Sequence, residues 1–368
     1  MSEVLAQKLA GSAGRAGAEP PAEAAQALAT QRRLSNRVFL GSLVTTSLIT
    51  AFWLFFVVTG RDGGVLFRGY RVDAVAVSRV LGGFLFMTVL WGWLWYGVKR
   101  LLLRKLVGLS RDEIDASFRS RMGTPFDLRR LLEGRSERKI RIADMVGRRG
   151  RYAVIGMTGF LLLSLRVAQD PKPDFLCAGL MDNLFDGLVL SWVMLATYHA
   201  NGFLGRVAYG AQTRIMDGVL GRANCLLIFT LWSVFRFIMI PLGGQLAPRF
   251  PPQTYASLFA FIWVSYLAGD ALSEIVGSLF GRQKLRVWGM GEVNRKSVAG
   301  TWACFLGSLA VCLSFVAAYG LGLPWVGLAL AVSVSNTALE LFSPRGTDDF
   351  TMATGNALLC WAFGSLVY

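Results

Sequence analysis

Two carboxylates and two glycines occur at helical spacing near the end of one long apolar run. Asp270 and Glu274 are four residues apart. Gly277 follows three residues later and Gly281 four residues after that, so an α-helix would place all of them on one face. Carboxylates in a membrane span are costly and usually functional, and Mg²⁺ binds such oxygens together with phosphates. The face therefore predicts a metal-phosphate site. The alternatives are helix packing by the glycines and a structural pairing of Asp270 with an arginine.

The loop after this run supplies the opposite charge. Arg295 and Lys296 precede Ser297, and Gly300 follows three residues after Ser297. Lysine and arginine neutralise the charge that develops on phosphate oxygens during phosphoryl transfer. Ser297 is a candidate N-cap, and a helix N-terminus is itself an anion site. The alternative is that both cations only flank a membrane span.

A third group of acids closes a later apolar run. Glu340 lies near the end of that run, and Asp348 and Asp349 follow eight and nine residues later. Paired carboxylates beside a membrane are a second candidate metal site, whereas the alternative is a solvated turn. The three groups can act together only if the surrounding elements bring them to the same side of a membrane.

Those elements are predicted to be membrane-spanning helices. Of the 368 residues, 54% are hydrophobic and only 17% are charged, so a soluble fold could not bury the apolar surface. We expect an all-α, polytopic integral membrane helical bundle with about nine transmembrane helices. The candidate spans are 38–59, 79–103, 152–168, 177–199, 224–243, 254–276, 299–319, 324–342 and 351–368.

Basic residues concentrate in alternate loops, which predicts the orientation. The net charge is +15, and the loop 104–150 alone carries 13 Lys/Arg against 7 Asp/Glu. The positive-inside rule then places the N-terminus and all three candidate groups on the cytoplasmic side, in the plasma membrane if the source is bacterial. Because the basic residues lie between apolar runs, we interpret them as topology signals and contacts for anionic lipids, and we expect no nucleic-acid partner.

The chain divides into four predicted regions. Residues 1–36 are expected to form a disordered or loosely helical cytoplasmic tail, and 37–103 two N-terminal transmembrane helices. Residues 104–150 are expected to form a basic cytoplasmic loop, part of which could lie on the membrane surface. Residues 151–368 are expected to form a catalytic-like transmembrane bundle. The five cysteines are scattered without a CxxC pair, so neither a metal framework nor a disulfide framework is expected.

The order and spacing of the three groups resemble the polyprenol kinase family of dolichol, phytol and farnesol kinases. This family lies within the CTP-dependent membrane transferase superfamily, which includes phosphatidate cytidylyltransferases. The matching segments are Gly269–Gly281, Lys296–Gly300 and Glu340–Asp349. The resemblance implies a lipid-alcohol kinase that uses Mg²⁺ and transfers the γ-phosphate of CTP, or of ATP, to the hydroxyl of a polyprenol, phytol-like or related lipid.

The resemblance also implies roles for individual residues. Asp270 and Lys296 would act in nucleotide–Mg²⁺ binding, and Glu340, Asp348 and Asp349 near the metal or the lipid hydroxyl. We predict these five as catalytic, with Asp270 and Asp349 as metal ligands. The residues predicted to bind the nucleotide are Gly269, Glu274, Gly277, Gly281, Arg282, Arg295, Ser297 and Gly300.

Two alternatives stay open. A CDP-lipid synthase similar to phosphatidate cytidylyltransferase would share the plan, although its Lys-Asp and His-Gly-Gly signature is missing from the sequence. A membrane transporter or non-catalytic scaffold would use the intramembrane acids for ion coupling or packing. Self-association into a homo-oligomer is compatible with each of these functions.

Overall fold

The chain is helical over most of its described length. The computed structural model describes residues 22–59, 78, 82, 85–120, 134–151, 153–171, 187–218, 220–288, 293–344 and 346–368. The helices of the first part are α1 (Ala22–Thr59), α2 (Trp91–Leu102), α3 (Arg111–Ser120), α4 (Glu137–Arg151), α5 (Ala153–Gln169), α6 (Gly187–Ala196) and α7 (Phe203–Tyr209). Short π-helical turns flank α2 at Leu85–Leu90 and Leu103–Val107.

The second part contains the elements that carry the predicted site. Its helices are α8 (Leu220–Leu246), α9 (Tyr255–Phe259), α10 (Ser265–Leu279), α11 (Val298–Ala318), α12 (Leu323–Phe342) and α13 (Asp348–Val367). A π-helical turn, Ala260–Val264, joins α9 to α10. Single 3₁₀ turns occur at Ile215–Asp217, Ala247–Arg249 and Pro252–Thr254.

Seven helical segments of the described chain are long and apolar enough to cross a membrane. They are Leu28–Phe55, Glu137–Gln169, Leu220–Met239, Pro252–Leu279, Val298–Ala318, Leu323–Phe342 and Asp348–Val367. The all-α prediction is therefore confirmed for the described chain, and the seven segments are consistent with a membrane bundle, but the count of about nine spans is not confirmed. The two further predicted spans, 79–103 and 177–199, lie partly outside the described residues, and their described parts include α2 and α6.

A short β-hairpin between α10 and α11 was not predicted. Strand β1 (Lys284–Trp288) pairs antiparallel with β2 (Val293–Ser297), with Lys284 opposite Ser297 and Leu285 opposite Lys296. In β1, Val287 is buried and Arg286 is exposed, as strand alternation requires. The pairing returns the chain to the end of α10, so that Lys296 and Ser297 arrive beside the acids of that helix.

The segment leading into α10 runs through the centre of the bundle. Every residue from 254 to 269 is buried, and Trp263 and Tyr266 are each only 1% exposed. The uninterrupted run of buried residues ends at Asp270, which is partly exposed. The first polar residues of the site therefore stand where the central helix leaves the apolar core.

Four polar side chains from four helices meet inside that core. The amide Nδ2 of Asn336 donates to Ser265 Oγ at 3.3 Å and to Ser308 Oγ at 3.2 Å, and Asn356 Nδ2 donates to the same Ser265 Oγ at 3.3 Å. All four side chains are fully buried. Hydrogen bonds between helices in an apolar surrounding fix how α10, α11, α12 and α13 are aligned along their axes.

Two regions differ from the sequence-based prediction. Residues 22–36, predicted as part of a disordered or loosely helical tail, form the regular first turns of α1, consistent with the helix-favouring Ala, Glu, Gln and Leu in that stretch. Residues 1–21 of that tail lie outside the described residues. The interval 104–150, predicted as a loop, contains α3 and α4, and Ile140 and Ala143 of α4 are completely buried. Helix α4 is therefore packed into the protein.

Candidate functional site

The two acids of α10 are held by arginines. Arg149 forms ion pairs with both Asp270 and Glu274. Glu274 Oε1 also accepts from Arg148 Nη1 at 2.8 Å and from Arg214 Nη2 at 2.8 Å. The side chains of the two acids keep 14% and 12% of their surface exposed, so the group is open at one side.

The arginines come from parts of the chain that are distant in sequence. Arg148 and Arg149 lie at the end of α4, and the short segment between α7 and α8 carries Arg214. The ion pair between Arg149 and Asp270 spans 121 residues of sequence. The structural alternative for Asp270, an acid paired with an arginine, is therefore observed, but with three guanidinium groups around two carboxylates.

A second set of charges surrounds Lys296 at the end of β2. Its Nζ lies 2.7 Å from Glu340 Oε1 and 3.9 Å from Asp348 Oδ2. Glu340 is almost fully buried at the end of α12, and its Oε1 also accepts from Ser273 Oγ of α10 at 2.8 Å. Lys296 and Glu340 together thus connect β2 with three helices, α10, α12 and α13, at one end of the bundle.

The two sets form one cluster of charges. Asp349 interacts electrostatically with Asp270 and Arg149. Lys296 interacts electrostatically with Asp270 as well as with its own partners. All five residues predicted as catalytic are therefore brought together, and this part of the site is referred to below as the charged cluster (Arg148, Arg149, Arg214, Asp270, Glu274, Lys296, Glu340, Asp348, Asp349).

The predicted glycines serve the contact between α10 and α11. A Cβ added to Gly300 would lie 2.8 Å from the carbonyl oxygen of Ser273 and 3.3 Å from the Cα of Gly277. One added to Gly277 would lie 2.8 Å from Ser297 Oγ and 3.6 Å from the Cα of Gly300, while Gly281, just after α10, packs against Gly277 and Ser297. The two helices approach so closely because these positions have no side chain. Of the two roles considered for them, helix packing is the one that the structure shows.

The remaining predicted nucleotide-binding residues take different places. Ser297 caps α11, since its Oγ accepts from the backbone N–H of Gly300 at 3.1 Å. Gly269 packs against Ser308 of α11.

Arg282 is exposed and has no described contact with the charged cluster. Arg295 pairs through its backbone with Arg286, and its side chain lies outside the described part of the structure.

The charge of Lys296 is fixed by its surroundings. Burial lowers the pKa of Lys296, but attraction by Asp348 and Glu340 outweighs burial and raises this pKa above its ordinary value. The pKa of Arg214 is likewise lowered by burial and raised overall by Glu274. Lys296 is therefore a permanent cation at neutral pH and cannot serve as a proton acceptor there.

The predicted metal site depends on how many protein ligands Mg²⁺ needs. Within the described chain, no three His, Cys, Asp or Glu side chains form a group able to hold a metal ion. Mg²⁺ commonly takes one or two carboxylates together with substrate phosphates and waters. Asp270 of α10 and Asp349 of α13, both in the charged cluster, are the two carboxylates predicted to bind Mg²⁺ in that way. Their assignment as metal ligands stays a prediction.

Sequence reasoning missed the three arginines as members of the site. All three lie in basic segments that the positive-inside rule already explains. The charge pattern alone therefore did not mark them as part of a binding site. A usable signal was present nonetheless. Two carboxylates on an intramembrane face need cationic partners, and Arg148 and Arg149 stand just before the apolar run of α5.

Comparison with known proteins finds one partial similarity. A curated protein from Synechocystis sp. (strain ATCC 27184 / PCC 6803 / Kazusa), named phytol kinase, is 36% identical over 108 residues, which is 28% of this chain. The chain spans 44% of the length of that relative. No protein-family model and no solved structure matches the chain. The similarity supports a prenol or phytol kinase-like relationship for the matched part.

Proposed function

We propose that the chain is a membrane lipid-alcohol kinase that transfers the γ-phosphate of CTP, or of ATP, to the hydroxyl of a polyprenol, phytol-like or related lipid. One observation carries the proposal. Three arginines from two distant segments converge on the two carboxylates of α10, at one end of an apolar helical bundle. The partial similarity to a protein named phytol kinase supports the same reaction class.

The ion pairs with Glu274 fix Arg148 and Arg214 but leave some of their N–H donors unused in the part of the chain that the structure describes. A guanidinium group carries five N–H donors. Within the described residues, Arg148 uses only Nη1 and Arg214 only Nη2 in contacts with Glu274. The remaining donors can bind phosphate oxygens, for which the planar guanidinium fork is well suited. Glu274 therefore acts as an anchor that orients two cations towards an incoming triphosphate.

Lys296 and the acids of α13 would act on the reacting atoms. The hydroxyl oxygen of the lipid forms a new bond to the γ-phosphorus as the bond from that phosphorus to the β–γ bridging oxygen breaks, and the nucleoside diphosphate leaves. The fixed charge of Lys296 stabilises the negative charge on the transferred group. Asp348 and Asp349 are the candidate acceptors of the hydroxyl proton. Mg²⁺ bound with the nucleotide would supply further neutralisation of the phosphate charge.

The position of the charged cluster suits a substrate that has a long apolar chain and a polar hydroxyl at its end. The helices α11 and α12 around it expose apolar side chains, which include Leu306, Leu330 and Val334. A chain of apolar carbons can remain among such surfaces in the bilayer while its terminal hydroxyl reaches the helix ends. This arrangement explains why acids and cations collect at the ends of membrane-spanning helices.

The first test is a transfer assay on the full chain in lipid nanodiscs with Mg²⁺. The donors are γ-labelled CTP or ATP, and the acceptors are a panel of prenyl alcohols and diacylglycerol. We expect label in the lipid phase, and we expect Arg149→Gln and Lys296→Met to reduce transfer by at least about 100-fold. Arg166→Gln on α5, an exposed cation outside the charged cluster, is the matched control and should leave transfer unchanged.

Two other outcomes have definite meanings. Incorporation of α-labelled CTP into phosphatidate, with release of pyrophosphate and no γ-label in any lipid, would replace the kinase by a CDP-lipid synthase. No labelled lipid from either nucleotide, with a folded protein by gel filtration, would remove both reactions and favour a transporter or scaffold.

A further inference from the structure

We infer that Lys99 and Asp144 are positioning residues for the arginine side of the charged cluster. They form a buried ion pair that holds the backbone on both sides of Arg214 and lies one helical turn from Arg148. This assignment rests on the proposed function, since it describes how the phosphate-binding arginines are kept in register. Neither residue was a candidate on the basis of sequence.

The ion pair is enclosed by the protein. Lys99 Nζ of α2 lies 2.6 Å from Asp144 Oδ1 of α4, and the two side chains are 1% and 4% exposed. A buried ion pair of this kind is weak evidence for stability, because replacement of both charges by apolar groups is often neutral or stabilising. The structural role of this ion pair therefore lies in the other groups that Lys99 and Asp144 bind.

Both groups bind the backbone that carries Arg214. Lys99 Nζ donates to the carbonyl oxygen of Thr213 at 2.6 Å. The backbone N–H of Ile215 donates to Asp144 Oδ2 at 2.8 Å. The residues immediately before and after Arg214 are thus fixed by the two members of one ion pair. A three-residue segment bound at both ends has little freedom to move the side chain in its middle.

The same pair is coupled to the other arginines through α4. Asp144 precedes Arg148 by four residues, so the two lie on the same face of the helix. A Cβ added to Gly147 would lie 2.9 Å from Lys99 Cδ, so the stem of Lys99 packs directly on the turn before Arg148. One ion pair therefore sets the relative position of two arginines that meet at Glu274 Oε1.

The test variant removes both charges together. In Lys99→Met/Asp144→Asn no unpaired charge stays buried, and the asparagine keeps an acceptor for the Ile215 N–H. We expect the KM for the nucleotide to rise by about 10- to 100-fold with a smaller change in kcat, as misplacement of a binding group predicts. Arg222→Met removes another buried cation, whose hydrogen bonds include those to the carbonyls of Tyr198 and Ala200, and it should leave KM unchanged.

A double-mutant cycle separates positioning from general stability. In an Arg214→Gln background the Lys99→Met/Asp144→Asn change should raise KM much less than in the wild type, since most of its effect passes through Arg214. Equal effects in both backgrounds would overturn the assignment. An unchanged KM in the first comparison would do so as well.

A chemical readout decides the same question without activity. Phenylglyoxal modifies accessible arginines, and peptide mass spectrometry reports the rate at Arg214. We expect faster modification in Lys99→Met/Asp144→Asn than in wild type or Arg222→Met, and equal rates would refute the positioning role. If the wild type transfers no phosphate from any donor, the kinase proposal fails, while this measurement still reports on the ion pair.

Discussion

At the scale of single residues, the carboxylates near the end of the central helix are compensated by ion pairs with arginines. Asp270 and Glu274 lie just beyond the continuously buried part of the central helix, and Arg149 binds both of them. An uncompensated carboxylate at that depth would be strongly unfavourable, whereas a carboxylate with hydrogen-bonded guanidinium partners is not. The acids could be recognised in the sequence because they share one helix. Their partners could not, because the pairing depends on how distant helices pack.

Lys296 allows a prediction about pH. Because its folded pKa is raised above the ordinary value of 10.5, its stabilising charge is complete below that value and is lost only as the pH rises through the folded pKa. We therefore expect a pH–rate profile with no loss attributable to Lys296 between neutral pH and about 10. Lys296→Arg should keep this plateau, and Lys296→Met should lower the rate at every pH.

A basic limb that falls near neutral pH in the wild type and disappears in Lys296→Arg would contradict this reading. It would mean that the lysine loses its proton in the working range. The comparison of the two variants is needed because other groups of the charged cluster also titrate.

At the scale of elements, the helices of the last third were the most predictable part. The predicted spans 299–319 and 324–342 correspond to α11 and α12 within one residue at each end. A long apolar run between polar residues defines both ends of a membrane-spanning helix, because the polar residues do not enter the bilayer core. The β-hairpin was missed because its strands are five residues each and mix apolar with basic side chains, as a cytoplasmic loop also does.

The close contact between α10 and α11 makes a prediction about stability. Gly300→Ala would place a methyl group 2.8 Å from the backbone oxygen of Ser273, which cannot move away without shifting the helix. We expect a loss of about 1–3 kcal/mol in the free energy of unfolding, which exceeds the roughly 0.5–1 kcal/mol that alanine contributes over glycine in a helix. The measurement is the unfolding midpoint of the purified protein in detergent.

Gly327→Ala is the matched control for this change. Gly327 lies inside α12 and has no atom within 4 Å of an added Cβ, so only the gain in helix propensity is expected there. Equal midpoints for the two variants would show that α10 and α11 are less tightly packed than described.

At the scale of the whole molecule, the distribution of charge along the bundle predicts its orientation. The charged cluster and β1–β2 lie at one end, and the turn between α11 and α12 lies at the other end of α11. With 21 residues, α11 is about 32 Å long, enough to cross a bilayer core. By the positive-inside rule we expect the end with the charged cluster to face the cytoplasm.

Cysteine labelling tests this orientation. The described cysteines Cys225, Cys304, Cys312 and Cys360 are all buried, so a Cys177→Ser background should be nearly silent towards a membrane-impermeant maleimide. We expect Gly322→Cys to be labelled on intact cells and Gln283→Cys only in inside-out vesicles. The reverse pattern would place the charged cluster on the outer side and exclude the use of cytosolic nucleotide.

The distance in sequence between Arg149 and Asp270 also has a consequence for biosynthesis. The two residues are 121 positions apart, and a ribosome adds about 5–20 residues per second. Roughly 6–24 s therefore pass after the arginine is made before its carboxylate partner exists. During that interval the arginines at the end of α4 are unpaired positive charges beside a newly inserted helix. By the positive-inside rule, these charges are expected to keep that helix end on the predicted cytoplasmic side until they bind the acids of α10.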